Sequence, residues 1–184
     1  MILLNHFIQP FRNYSSELKL TLIFFLLGLI LSLSGIADVE VIREAILEKF
    51  AQFKNLHGTH LFFTIFLNNL QVVAIAFYLG IFFGFIPFFI SMVNGLVMGL
   101  VFMMSDKAPL YIIVKLIPHG VFELPAIFLA IALGFSLAKW VRERDKIVYI
   151  KKQLIEGTSI FVTVIIPLLL IAGIIESIAI ELSR

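Results

Sequence analysis

The chain has 184 residues, of which 61% are hydrophobic and only 14% are charged, whereas soluble domains usually carry about 25% charged residues. This composition excludes an ordinary soluble globular protein, because so much apolar surface requires lipid. The 14 basic and 12 acidic residues leave a formal charge of +2, which gives no indication of nucleic-acid binding. The absence of cysteine excludes disulfides and thiolate metal sites.

Apolar segments long enough to cross a membrane follow one another along the chain, since a helix of about 20 apolar residues spans the hydrocarbon core. The stretch 61–105 carries no charge and is twice the required length, so Gly80, Gly84 and Pro87 are predicted to fold it back. The five predicted spans are residues 20–36, 61–79, 87–104, 112–138 and 158–180. We therefore expect an all-α polytopic bundle that forms a single integral membrane domain over residues 1–184, with the lipid bilayer as its environment.

Between spans one and two, segment 38–56 has a different pattern. Ile42, Ile46, Phe50 and Phe53 recur at helical spacing with charged residues between them, which predicts an amphipathic helix. Such a helix lies on the membrane or caps the bundle. The sequence leaves open whether it is a packed connector or a partner-binding surface.

Basic residues near the span ends predict the orientation of the chain, because cytoplasmic loops are enriched in lysine and arginine. The segment 139–156, read as a loop, contains six of them: Lys139, Arg142, Arg144, Lys146, Lys151 and Lys152. This segment is predicted to be cytoplasmic and 38–56 external. Five spans then place the amino terminus in the cytoplasm and the carboxyl terminus outside the cell membrane.

Two pairs of glycines have the spacing at which membrane helices approach closely. They are Gly80 with Gly84 and Gly95 with Gly99. Such pairs serve either packing within one chain or formation of a homodimer, and the sequence leaves both interpretations open.

Polar and ionisable side chains interrupt the spans, where a charged residue costs at least about 2.5–3.5 kcal/mol on insertion scales. Because of this free-energy cost, such side chains require hydrogen-bonding or charged partners within the membrane. Counting along each span at about 1.5 Å per residue puts all of them in the external half of the bundle. They are Asn68, Asn69, Asn94, His119, Glu123 and Glu176.

His119 and Glu123 are four residues apart, so an unbroken helix would present them on one face. Pro118 and Pro125 flank the pair, however. Each lacks the backbone N–H that would donate a helical hydrogen bond, so each could interrupt the helix. With Glu176 as a third ligand, the set suits zinc or another first-row divalent metal. The three asparagine amides, Asn68, Asn69 and Asn94, would complete this intramembrane polar network. A purely hydrogen-bonded network and a path for protons or ions are the alternatives.

The same residues resemble a known family, the stage II sporulation protein M family, over about residues 62–180. The most specific block is Pro118-His119-Gly120-x-x-Glu123-Leu124-Pro125. The resemblance also rests on Asn68-Asn69, Asn94-Gly95 with Gly99, and Pro167 with Glu176. It implies a polytopic membrane protein related to a scaffold that anchors a cell-wall-degrading complex in spore formers. The family also occurs in organisms that do not sporulate.

These observations lead to a non-enzymatic membrane scaffold as the expected function. It would hold other membrane or envelope proteins during membrane or envelope remodelling. One alternative is a metal-dependent membrane enzyme that uses His119, Glu123 and Glu176. A second is ion or small-solute transport, against which the apolar inner half of the predicted bundle counts.

Overall fold

The computed structural model describes residues 2–35, 55–104 and 109–182, together with residues 43, 44, 47, 48 and 51. Within these ranges there is no strand, which confirms the all-α prediction. Two short 3₁₀ turns, Leu79–Ile81 and Lys139–Arg142, and a π-helical segment, Phe161–Ile165, connect the α-helices. The helices are α1 (Ile2–Asn13), α2 (Ser15–Leu33), α3 (Gly58–Tyr78), α4 (Phe85–Met104), α5 (Pro109–Ala138), α6 (Lys146–Ile160) and α7 (Ile166–Leu182).

Among the described residues, five helical segments are long and apolar enough to cross a membrane, as predicted. The fifth crosses as one continuous helical run, Lys146–Leu182, so segment 139–156, predicted as a loop, is mostly helical. Hydropathy alone missed α6 because its lysines face outward while Ile150 and Leu154 pack against the core. The five segments are Ser15–Leu33, Gly58–Ile81, Phe85–Met104, Ile117–Arg142 and Lys146–Leu182.

Most of the predicted amphipathic segment 38–56 lies outside the described residues. Within it, Arg43, Glu44, Leu47, Glu48 and Ala51 are helical and exposed. The prediction for the rest of the segment stays a prediction.

Helix α5 is the central helix of the bundle. In its most apolar 18-residue stretch 61% of the residues are buried, against 28–33% in the corresponding stretches of the other four segments. The run 126–137, which is buried except for the partly buried Phe128, packs against α3 and α7 and forms the middle of the apolar core. Pro118 and Pro125 both lie inside α5, and the helix continues through them, so the interruption that they made possible does not occur.

Close glycine contacts join the helices in pairs. A Cβ atom on Gly95 would lie 1.9 Å from the carbonyl oxygen of Phe25, and one on Gly28 would lie 2.0 Å from that of Met92. Helices α2 and α4 therefore touch backbone to backbone. A Cβ on Gly80 would likewise lie 2.3 Å from the Gly134 oxygen of α5. Both predicted glycine pairs contribute to packing within the chain.

The turn between α3 and α4 lies where the sequence predicted it. A 3₁₀ turn over Leu79–Ile81 ends α3, and Gly84 has a φ of +76°, a conformation that glycine adopts without steric cost. The preceding Phe83 has a φ of +56°, which is uncommon for a bulky residue. This residue is 63% exposed.

At this end of the bundle, polar contacts connect the helix ends. Lys139 forms an ion pair with Glu17 at the start of α2. On α6, Tyr149 donates to the carbonyl of Ser136 at 3.0 Å, and the Ser136 hydroxyl donates to Gln153 at 3.0 Å. These contacts hold the start of α2 and the first half of α6 against the end of α5.

Candidate metal centre

Three ionisable side chains from two helices converge at membrane depth. His119 and Glu123 come from α5 and Glu176 comes from α7. One potential ligand atom from each residue lies within 4.8 Å of the other two, and all three residues are half-buried. The structure thus brings together the three residues that the sequence analysis selected as metal ligands.

The local fold explains this convergence. Because α5 is unbroken between Pro118 and Pro125, His119 and Glu123 are one turn apart on the same face. Glu176 is brought in by α7, which packs against α5 and α3. One turn before Glu176, Gly173 faces the ring of Phe62, where an added Cβ would lie 3.3 Å from the ring. The backbone of Gly58 at the start of α3 also donates to the Glu181 carboxylate at 2.5 Å, which fixes the end of α7.

A groove of 570 Å³ adjoins the two α5 members of the cluster. His119 and Glu123 contribute to its wall, and so does Asn94 of α4. The rest of the lining is almost entirely apolar, with Phe25, Val97, Met98, Val101 and Phe102 among its residues. The sequence analysis missed these apolar residues, because nothing in a uniformly apolar span distinguishes a groove wall from a lipid-facing surface.

The three asparagines separate into two groups. Asn94 lines the groove, and its Nδ2 donates to the carbonyl oxygen of Ile90 at 2.7 Å. Asn68 and Asn69 do not line it; the Nδ2 of Asn68 donates to the Oδ1 of Asn69 at 3.1 Å. Of the predicted network, Asn94 therefore lies beside the candidate ligands, whereas Asn68 and Asn69 bond to each other on α3.

The cluster has the donors that a divalent metal requires. An imidazole nitrogen and two carboxylates form a common three-residue set for zinc, with a fourth position left for water or substrate. Bonds of about 2.0–2.1 Å to a tetrahedral ion would separate the ligand atoms by roughly 3.4 Å. The ligand atoms lie within 4.8 Å of one another, so each would have to shift by about 1 Å or less to reach that spacing. The charge also fits, since a divalent cation neutralises two carboxylates that would otherwise repel each other at low dielectric.

Comparisons with known proteins agree with the resemblance seen in the sequence. The sequence model of the family described as Stage II sporulation protein M matches residues 21–179. Searches of curated proteins and of solved structures gave no match. The family match covers most of the chain, including all three members of the candidate metal centre, and the chain belongs to this family.

Proposed function

We propose that this member of the stage II sporulation protein M family is an integral membrane scaffold for membrane or envelope remodelling, with a divalent metal such as zinc connecting α5 to α7. The observation that carries the metal proposal is the convergence of His119, Glu123 and Glu176 within 4.8 Å. Because the ligands come from two helices, one bound ion would fix the relative position of those helices. A rigid bundle is what a scaffold needs in order to present its surfaces to partners.

The helical architecture supports the scaffold function. The described residues form helices that are joined by short turns, five helical segments are long and apolar enough to cross a membrane, and there is no strand among them. In the part of the chain that the structure describes, no separate globular domain is present to act on the cell wall or another envelope component.

Metal content is the first test. Protein purified in detergent without a His-tag and without added metal is expected to contain close to one equivalent of metal by elemental analysis. A His119→Ala, Glu176→Gln variant is expected to lose it, because only one ligand of the three remains. The absence of metal from both proteins, even after incubation with zinc, would contradict a metal centre and leave a hydrogen-bonded contact between α5 and α7.

Partner binding is tested from the external side. A photo-crosslinking amino acid at Phe50, in the predicted external segment 38–56, is expected to capture membrane or envelope proteins with domains outside the cell. The same group at Ile147 on α6, which is 83% exposed and predicted to be cytoplasmic, is the matched control and should not capture those proteins. Capture of cytoplasmic proteins from position 50 would contradict the proposed orientation. Capture of a second copy alone would indicate a homodimer, and no capture would contradict the scaffold.

A metal-dependent membrane enzyme is the second candidate, and the groove favours it. The groove places an apolar surface beside His119 and Glu123, as a lipid or a membrane peptide would require. A metal with three protein ligands keeps a position for water, whose pKa it lowers to about 7. Metal-dependent hydrolysis of a lipid or a membrane peptide by the purified chain, lost in Glu123→Gln, would favour the enzyme over the scaffold.

A further inference from the structure

A second pocket lies at the opposite end of α5 from the candidate metal centre. Lys139 follows His119 by 20 residues, which is about 30 Å along a helix. The pocket has a volume of 410 Å³. Leu20, Phe83, Phe135 and Ala138 form its apolar wall, and Lys139 and Arg142 form its basic rim. We propose that this pocket binds an anionic phospholipid, with the headgroup phosphate at Arg142 and the upper acyl chain along the apolar wall.

Charge supports an anionic occupant. Glu17 also lines the pocket, but it is buried and forms the ion pair with Lys139. Arg142 is exposed and forms no ion pair within the described residues. The positive charge of Lys139 is thus balanced by Glu17. Arg142 lines a neighbouring surface pocket with Glu143 and Asp145 but forms an ion pair with neither of them, so its charge can bind a ligand. A guanidinium donates two parallel hydrogen bonds to a phosphate, which makes arginine well suited to this contact.

The rim is held in place by Trp140. Its Nε1 donates to the carbonyl oxygen of Ile81 at 2.8 Å, which connects the 3₁₀ turn Lys139–Arg142 to the turn between α3 and α4. The Trp140 ring lies 5.7 Å from that of Phe83, and Lys146 lies 5.4 Å above it. Phe83 is the residue whose φ of +56° is uncommon outside glycine. Strained backbone of this kind often occurs at binding sites, and here it positions an aromatic ring on the pocket wall.

The apolar wall favours a lipid over a free phosphate ion. Leu20 is 37% exposed and Val141, which also lines the pocket, is 40% exposed. A tryptophan with several lysines and arginines marks the level of the lipid headgroups, so these apolar side chains face the start of the hydrocarbon. Basic pockets between transmembrane helices at this level bind anionic headgroups. A soluble anion would use the rim alone and gain nothing from the wall.

The single tryptophan of the chain is next to the pocket and reports its occupancy. The intact protein would be reconstituted in bilayers that contain phosphatidylglycerol or phosphatidylcholine with brominated acyl chains, which quench tryptophan on contact. One basic residue near an anionic surface contributes about a five-fold preference. We therefore expect quenching of Trp140 to show an affinity about five-fold higher for phosphatidylglycerol than for phosphatidylcholine. Arg142→Gln should reduce this preference to about one.

Lys151→Gln is the matched control, because it removes the same charge from an exposed residue of α6 that does not line the pocket. This variant should keep the preference for phosphatidylglycerol. An equal loss of the preference in both variants would show that anionic lipid is attracted by the overall positive charge, and it would contradict a specific site. Equal quenching of the wild-type protein by the two lipids would also contradict it. Excess inorganic phosphate should leave the preference for phosphatidylglycerol unchanged. If phosphate abolished this preference, the site would bind a soluble anion and the proposal of a bound lipid would be wrong. Unchanged helical circular dichroism of both variants would exclude misfolding as the cause.

Discussion

Gly95→Ala is expected to destabilise the bundle by about 1–3 kcal/mol, the usual cost of overpacking a well-packed interior. The added methyl would lie 1.9 Å from the Phe25 oxygen and 2.9 Å from the Leu29 nitrogen. Both neighbours are backbone atoms, so no side-chain rotation relieves the clash and α2 and α4 must separate. The free energy of unfolding, measured by titration of the detergent-solubilised protein with a denaturing detergent, would report the loss.

Gly120→Ala is the matched control for this substitution. Gly120 is also inside a helix, yet a Cβ there would have no neighbour within 4 Å among the residues that the structure describes. Alanine at such a position gains about 0.5–1 kcal/mol in a helix relative to glycine. The two variants should thus change stability in opposite directions. Equal stability of Gly95→Ala and wild type would show that α2 and α4 do not pack this closely.

The number and order of the spans were predictable because insertion into lipid is decided by hydropathy over about 20 residues. The fold-back at Gly80, Gly84 and Pro87 was predictable for a similar reason, since a stretch of that length has to turn once. Helix α6 was not, because it is amphipathic and hydropathy averages its lysines with Ile150 and Leu154. An assignment from helical periodicity within 139–156 would have found it.

The candidate metal centre was predictable in part. Four-residue spacing placed His119 and Glu123 together once α5 proved continuous, and depth along the spans selected Glu176 from a different helix. Depth does not specify which side of a helix a residue occupies, however. Asn68, Asn69 and Asn94 were therefore equally strong candidates from the sequence. In the structure, Asn94 lines the groove together with His119 and Glu123, and Asn68 and Asn69 do not. The groove depends on how three helices pack, which no single span encodes.

Zinc is expected to stabilise the protein and Glu176→Gln to abolish that effect. A ligand that binds only the folded state stabilises it by about 2.7 kcal/mol at a concentration 100 times its Kd. Replacing a group that merely orients a metal ligand weakens binding by about 10–100-fold, so loss of a direct ligand should cost at least about 100-fold. Thermal unfolding in detergent, with zinc and with a chelator, would show a clear zinc-dependent increase in Tm for wild type and almost none for the variant.

Glu181→Gln controls for the loss of a carboxylate from the same helix. Glu181 accepts the hydrogen bond from Gly58 but is not in the cluster. The amide oxygen of glutamine can still accept this bond without the charge, so any decrease in Tm should be equal with zinc and with chelator. The difference in Tm between zinc and chelator separates the effect of the metal from that of helix packing, because a hydrogen-bonded contact between α5 and α7 contributes to the Tm in both conditions. If Glu176→Gln behaved as Glu181→Gln does, and wild type gained nothing from zinc, Glu176 would have a structural role only. A zinc-dependent increase that disappears only when a cluster residue is replaced would instead require the ion to bind α5 and α7 together.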